Sequence, residues 1–160
     1  MAMYMSFEGA KGDATQTERE NWINIIHFDW TIDWPITTRA GVKNDLTRDG
    51  NHPQVHEIHI QKYADRATTR LIREICKSNT PRLCRLHFLR TDNTAHTYME
   101  YDFYESLITQ WSISTDPAQN PIETVHINFK AFEVCFFPTD EGNNDLPMRT
   151  EHYELIEKKK

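Results

Sequence analysis

Eight histidines and a cluster of acids are the side chains here best equipped for chemistry. An imidazole can ligate a metal or move a proton near neutral pH. His56 and His59 stand three apart in an alternating stretch. A strand would turn them to opposite faces, so they would not share an ion. His87 and His96 could face each other across the turn T-D-N-T. A zinc site there would still need one or two further ligands, and the spacing supplies none, since Cys84 has the opposite parity to His87. Glu100, Asp102 and Glu105 lie close together, and Glu100 and Asp102 share one face of a strand. Paired acids can hydrolyse glycosides, but any half-wet strand shows the same alternation, and the solvated-face reading is favoured. The chain contains no G-x-S-x-G elbow, phosphate loop or dinucleotide fingerprint. The expectation is no catalysis, no cofactor and no bound metal.

The three cysteines, Cys76, Cys84 and Cys135, form no C-x-x-C pair and are odd in number. They read as reduced thiols in or near a core, as in a chain folding in a reducing compartment. A net charge of −6 argues against a general nucleic-acid binder. The first residues, M-A-M-Y-M-S-F-E, carry no basic segment and no long apolar run, so no secretory signal is expected. Nothing approaches the roughly 20 apolar residues of a membrane helix, and no membrane insertion is expected.

The elements that would position these residues are almost all strands. Met3, Met5 and Phe7 alternate with polar residues ahead of the turn G-A-K-G-D. Trp22, Ile26, Phe28, Trp30, Ile32 and Trp34 share one parity and predict one long strand with a dry face. Leu83–Arg90 and Ala95–Glu105 read as a hairpin. Met99, Tyr101 and Phe103 are set on one face with Leu107, Trp111 and Ile113, with a bend at Glu105-Ser106. Val125, Ile127 and Phe129 are odd while Phe132, Val134 and Phe136 are even, so a β-bulge is predicted at Lys130-Ala131. Such a bend carries a strand from one sheet to another, as small barrels require. A last short strand is expected in Met148–Ile156.

One helix interrupts this pattern. Leu71, Ile72, Ile75 and Cys76 form a narrow apolar stripe over about Ala67–Lys77, capped by Asp65, Thr68 or Thr69 and ended by Ser78-Asn79 before Pro81. Leu71, Ile72 and Ile75 would dock it. The predicted fold is mainly β: two antiparallel sheets closing into a small barrel with one flanking helix, a single domain over 1–157 with a frayed basic tail at 158–160. The segment Pro35–Pro53 has few large apolar residues and predicts a long protruding loop. It reads as an arm that orders on a partner, or as the tip of a long hairpin.

Four segments, in this order, carry a resemblance: M-Y-M-S-F-E-G-A-K-G-D, then I-I-H-F-D-W-T-I-D-W, then V-H-E-I-H-I-Q-K-Y-A-D-R-A-T-T-R-L, then V-H-I-N-F-K-A-F-E-V-C-F-F-P. The chain resembles the Hcp family, the haemolysin-coregulated proteins that form the inner tube of the bacterial type VI secretion system. K-Y-x-D at Lys62–Asp65 is the most specific piece. The resemblance implies a structural, non-enzymatic subunit of stacked hexameric rings. Its partners would be its own copies, a spike protein, a sheath and secreted effectors held in the lumen. It implies a cytoplasmic protein that leaves the cell without a signal peptide when the system fires. It also implies that the loop at Pro35–Pro53 reaches the next ring, with Arg39, Val42, Lys43, Leu46 and Arg48 as contact residues. The competing readings are a stand-alone β-barrel module that binds a protein or peptide with the Pro35–Pro53 loop, and a hydrolase using Glu100 and Asp102.

Overall fold

The computed structural model describes residues 1–40, 46–50, 52–78, 80–91, 95–139 and 145–155, with backbone alone at 37–40, 46–50, 91 and 95. The chain runs β1 (Ala2–Phe7), β2 (Ile23–Ile25), β3 (His27–Asp29), β4 (Ile32–Asp33), β5 (Ile36–Ala40), β6 (Leu46–Gly50), β7 (Gln54–Val55), β8 (Ile58–Tyr63), α1 (Thr68–Lys77), β9 (Arg82–Thr91), β10 (Ala95–Ser114), β11 (Ile122–Asn128), β12 (Ala131–Phe136) and β13 (Arg149–Glu154). Every strand pairing is antiparallel. One sheet runs β2-β1-β9-β10-β12-β13 and the other β10-β11-β8-β3, so the long strand β10 belongs to both.

Two corners make this possible. Glu105 has φ 50°, in the left-handed region, and the β9–β10 register slips between Phe103 and Ser106. The extra residue flips the side-chain phase: Phe103 is buried, then Ser106 and Ile108. Leu107 therefore faces outward, against the expectation that it continues the face of Met99–Phe103, while Trp111 and Ile113 return to the inward side after a second slip between Ile108 and Gln110, Ile113 staying 47 % exposed near the strand end. The second corner is Phe129-Lys130. β11 pairs in one sheet and β12 in the other, and the Lys130 N–H donates to the Tyr104 carbonyl beside the first corner (3.1 Å). The predicted bulge is thus a break between two strands.

The expected long strand of tryptophans is likewise broken. β2 pairs with β1 and β3 with β8, so the chain passes between sheets at Ile26, whose N–H donates to the Gln61 carbonyl (2.9 Å). Ile23 and Ile25 point inward before the crossing, Phe28 and Trp30 pack on the core after it, and Ile32 and Trp34 are left exposed. β2 and β3 end the two sheets and are separated by one residue, so the chain links those two sheet ends, and the fold is mainly β with antiparallel sheets as expected.

The interior is aromatic and aliphatic. Met5, Phe7, Ile58, Ile60, Leu86, Phe103, Val125 and Ile127 are all buried. Trp30 meets Tyr101, Phe103, Phe129 and Phe132 edge-on, with ring centroids 4.8–6.0 Å apart, and its indole N–H donates to the His56 carbonyl. A side chain at Gly12 would overlap the Trp22 carbonyl and Ile23 Cα, and the Gly12 N–H donates to the Asn21 carbonyl (2.7 Å), so G-A-K-G-D is pinned to the entry of β2.

Helix α1 lies against β10. Its apolar stripe is narrower than predicted. Leu71 is fully buried, Ile75 packs on the core, Ile72 is half-buried and Cys76 is exposed rather than core. Glu74 takes the remaining inward position, 6 % exposed, between Arg70 (2.7 Å) and Arg82 of β9 (3.4 Å). The Asp65 carboxylate accepts the Ala67 N–H, and the Thr68 hydroxyl accepts the Asp65 N–H, which ties down the helix entry.

Candidate functional site

Within Pro35–Pro53, the described residues Ile36–Ala40 and Leu46–Gly50 form a two-stranded antiparallel ribbon, in keeping with the hairpin alternative. β5 and β6 pair from Ile36↔Gly50 to Ala40↔Leu46, with Thr38 opposite Arg48 and Arg39 opposite Thr47. Of the predicted contact residues, Arg39, Leu46 and Arg48 lie on these strands, and Val42 and Lys43 lie outside the described residues, as does the expected tail at 158–160. Neither strand of the ribbon pairs with the two main sheets. At its base Ile32, Trp34 and Ile36 are 48, 56 and 45 % exposed.

Charged clusters occupy the molecule elsewhere. The most buried centres on Lys62, 0 % exposed, whose ammonium donates to Glu123 (2.8 Å) and Asp65 (2.8 Å). The Thr68 hydroxyl donates to the other Glu123 oxygen (2.6 Å). This gives K-Y-x-D a physical role: it staples β8, β11 and the helix entry. Sequence placed Lys62 and Asp65 in one motif but not Glu123, which lies far along the chain and reads as an ordinary strand acid.

His87 does not face His96. The register sets His87 opposite Glu100 and His96 opposite Arg90. The nearly buried Arg19, from the loop after β1, donates through Nε to His87 Nδ1 (3.2 Å) and also binds the Thr97 hydroxyl. Burial first, then Arg19 and Arg85, push the His87 pKa down to about 4. Glu100, 3.5 Å from the same nitrogen, favours a proton there, but burial and two guanidiniums outweigh it. Glu100 and Asp102 are each raised, chiefly by burial; Asp102 adds to this at Glu100, and Arg85 opposes it at both. The two acids sit in an ion-pair network with Arg85, 3.4 Å from Asp102. Burial, with Asp102 nearby, pushes the Cys84 thiol up, so it stays protonated.

On the outer face of the second sheet, His59 of β8 and His126 of β11 are direct cross-strand partners. Their rings stack with centroids 3.9 Å apart. Glu57 lies on the same face, two residues before His59. His126 is held below its ordinary pKa by burial and then by His59, while Glu57 pulls the other way. Sequence reasoning set His59 apart from His56 and stopped there. The partner came from another strand, which only the β8–β11 register reveals.

These features define a β-rich domain with one flanking helix, an internal aromatic core, and a projecting ribbon rimmed by exposed apolar side chains. The chain belongs to the Hcp family of type VI secretion proteins: the family model described as "Type VI secretion system effector, Hcp" matches residues 4–136. No curated relative matches it by sequence. Among solved structures, one described as a type six secretion system protein superposes with a TM-score of 0.86 at 17% identity, over 96% of this chain and 95% of its own. Hcp1 from Salmonella typhimurium gives 0.74 at 19% identity, over 96% and 94% of the two chains. A type VI secretion system effector from Yersinia pestis gives 0.75 at 12% identity, over 95% and 98%. At these identities the structures establish a shared fold. Among the described residues no helix is long and apolar enough to cross a membrane.

Proposed function

We propose that this chain is a structural subunit of the type VI secretion inner tube. It forms hexameric rings that stack, are expelled with a spike protein by a contracting sheath, and carry effectors in the lumen. It is made in the cytoplasm and leaves the cell when the system fires. The observation that carries the reading is membership of the Hcp family over residues 4–136. The likeness extends over nearly the full length of both chains in the structural matches. The exposed rim of Ile32, Trp34 and Ile36 beside the ribbon supports it, because a subunit with heterologous contacts needs apolar surface that the monomer leaves open. The Arg85–Asp102–Glu100–His87 network reads as a half-buried ion-pair cluster that ties β9 to β10, and the role we propose is structural rather than catalytic.

Negative-stain images and native mass of the purified protein test this. Rings of six copies with a central channel are the expected result. A strictly monomeric protein at tens of micromolar would refute it.

A further inference from the structure

We propose that Glu57, His59 and His126 form a binding site for a transition-metal dication, of the Zn²⁺, Ni²⁺ or Cu²⁺ class. The inference is independent of ring formation.

The site follows from strand geometry. Glu57 and His59 are two apart, so they leave the sheet on the same side, while Ile58 and Ile60 go inward and are fully buried. His126 is the direct cross-strand partner of His59. One ligand atom from each of the three residues lies within 4.8 Å of the others, and all three are half-buried. Ligands about 2.0–2.1 Å from a tetrahedral ion stand about 3.4 Å apart. The imidazoles are stacked at 19°, which sends their lone pairs out in parallel, so binding requires the rings to splay. His59 is 44% exposed and has room to turn.

The surroundings are those a metal site needs. Both Glu57 carboxylate oxygens are held, one by the Thr109 hydroxyl (2.9 Å) and one by the Asn128 amide (3.4 Å). Asp29 Oδ2 lies 3.9 Å from His59 Nδ1, beyond hydrogen-bond length but near enough to pair with that nitrogen once the ring turns to meet an ion through Nε2. A groove of about 340 Å³ lined by Asp29, Trp30, Thr31, His56, Glu57 and His59 opens beside the cluster and gives an ion access from solvent. Two nitrogen donors and one carboxylate select borderline dications over Ca²⁺ and Mg²⁺, which prefer all-oxygen shells. Three protein ligands leave a fourth position for water or for a donor from another molecule.

The test is calorimetric titration of the chelator-stripped full chain with ZnCl₂ at pH 7.5. One saturable equivalent per chain is expected, absent in His59→Ala and His126→Ala, retained in His152→Ala, and weakened about tenfold in Asp29→Asn. Melting in EDTA checks that each variant folds. A second measurement needs no variant: zinc should protect His59 and His126 of the wild-type chain from diethylpyrocarbonate, read by mass spectrometry. Absence of saturable uptake, uptake unchanged in His126→Ala, or protection falling on other histidines would overturn the proposal.

Discussion

Lys62 occupies an inward position on β8 where its neighbours two and four residues back are isoleucines. A lysine there persists only because Glu123 and Asp65 both meet its ammonium and Thr68 completes the set. Removing one member of a buried ionic set leaves an uncompensated charge, which costs about 3–5 kcal/mol. Lys62→Ala should lose that much in urea denaturation, and Lys62→Met with Glu123→Leu should lose much less than the two single changes combined. Additive losses would mean the set contributes no coupling. His87 makes a second residue-level case. Its folded pKa of about 4 lies below the ordinary 6.5. Between those values the unfolded chain binds a proton that the folded chain refuses, so stability is full above pH 6.5 and falls as the pH drops toward 4. In His87→Gln that contribution to the pH slope should vanish. Equal slopes for both proteins between pH 6.5 and 4 would show that Arg19 and burial do not hold the ring neutral.

At the scale of elements, the helix makes the sharpest test. Leu71 is its one fully buried apolar residue from the predicted stripe, and Leu71→Ala should cost about 2–5 kcal/mol in chemical denaturation. Ile75 is only partly buried, so Ile75→Ala should cost roughly 1–2 kcal/mol. Reversal of that order would mean the helix sits with the other edge of its stripe inward. The existence of the helix was legible because an i, i+4 pattern survives in a single sequence. That Glu74 would take an inward place was not, since Arg82, which neutralises it, stands on a different element. The strands show the same division. Alternation identified Met5 and Phe7, and Val125 and Ile127, as inward pairs. It failed at Ile26, where the chain changes sheets inside a parity read as one strand, and at Glu105, where a bend was expected but the change of face was not. A crossing inserts one residue, and a parity pattern read straight through then assigns every later side chain to the wrong face. Leu107 was misplaced for this reason, whereas Ile32 and Trp34 keep the parity of Phe28 and Trp30 and are exposed because the chain there has left the main sheets, Ile32 pairing with Val55 in a separate ribbon. The flip at Lys130-Ala131 was found because both halves are strongly apolar on their inner face.

At the scale of the whole molecule, the family was legible from four short segments, because their order and spacing encode a fold. The cation site was not, because His59 and His126 are brought together only by pairing strands far apart in sequence. The proposed tube makes its own demand on the ribbon. β5 and β6 pair with each other and not with the main sheets, so the monomer fold does not depend on their ladder. Under the tube reading, Arg39, Val42, Lys43, Leu46 and Arg48 contact the next ring. Each surface ion pair contributes roughly 0–1 kcal/mol, too little to hold two chains together, but a ring repeats every contact around its circle. Reversing Arg39, Lys43 and Arg48 to Glu together should therefore abolish or weaken stacking, with rings and the melting temperature of the fold preserved. The measurement is electron microscopy of tubes beside thermal melting of the same sample. Tubes and secretion that survive deletion of the ribbon would remove it from the assembly. Loss of the rings themselves would instead place it in the contact between neighbours within one ring.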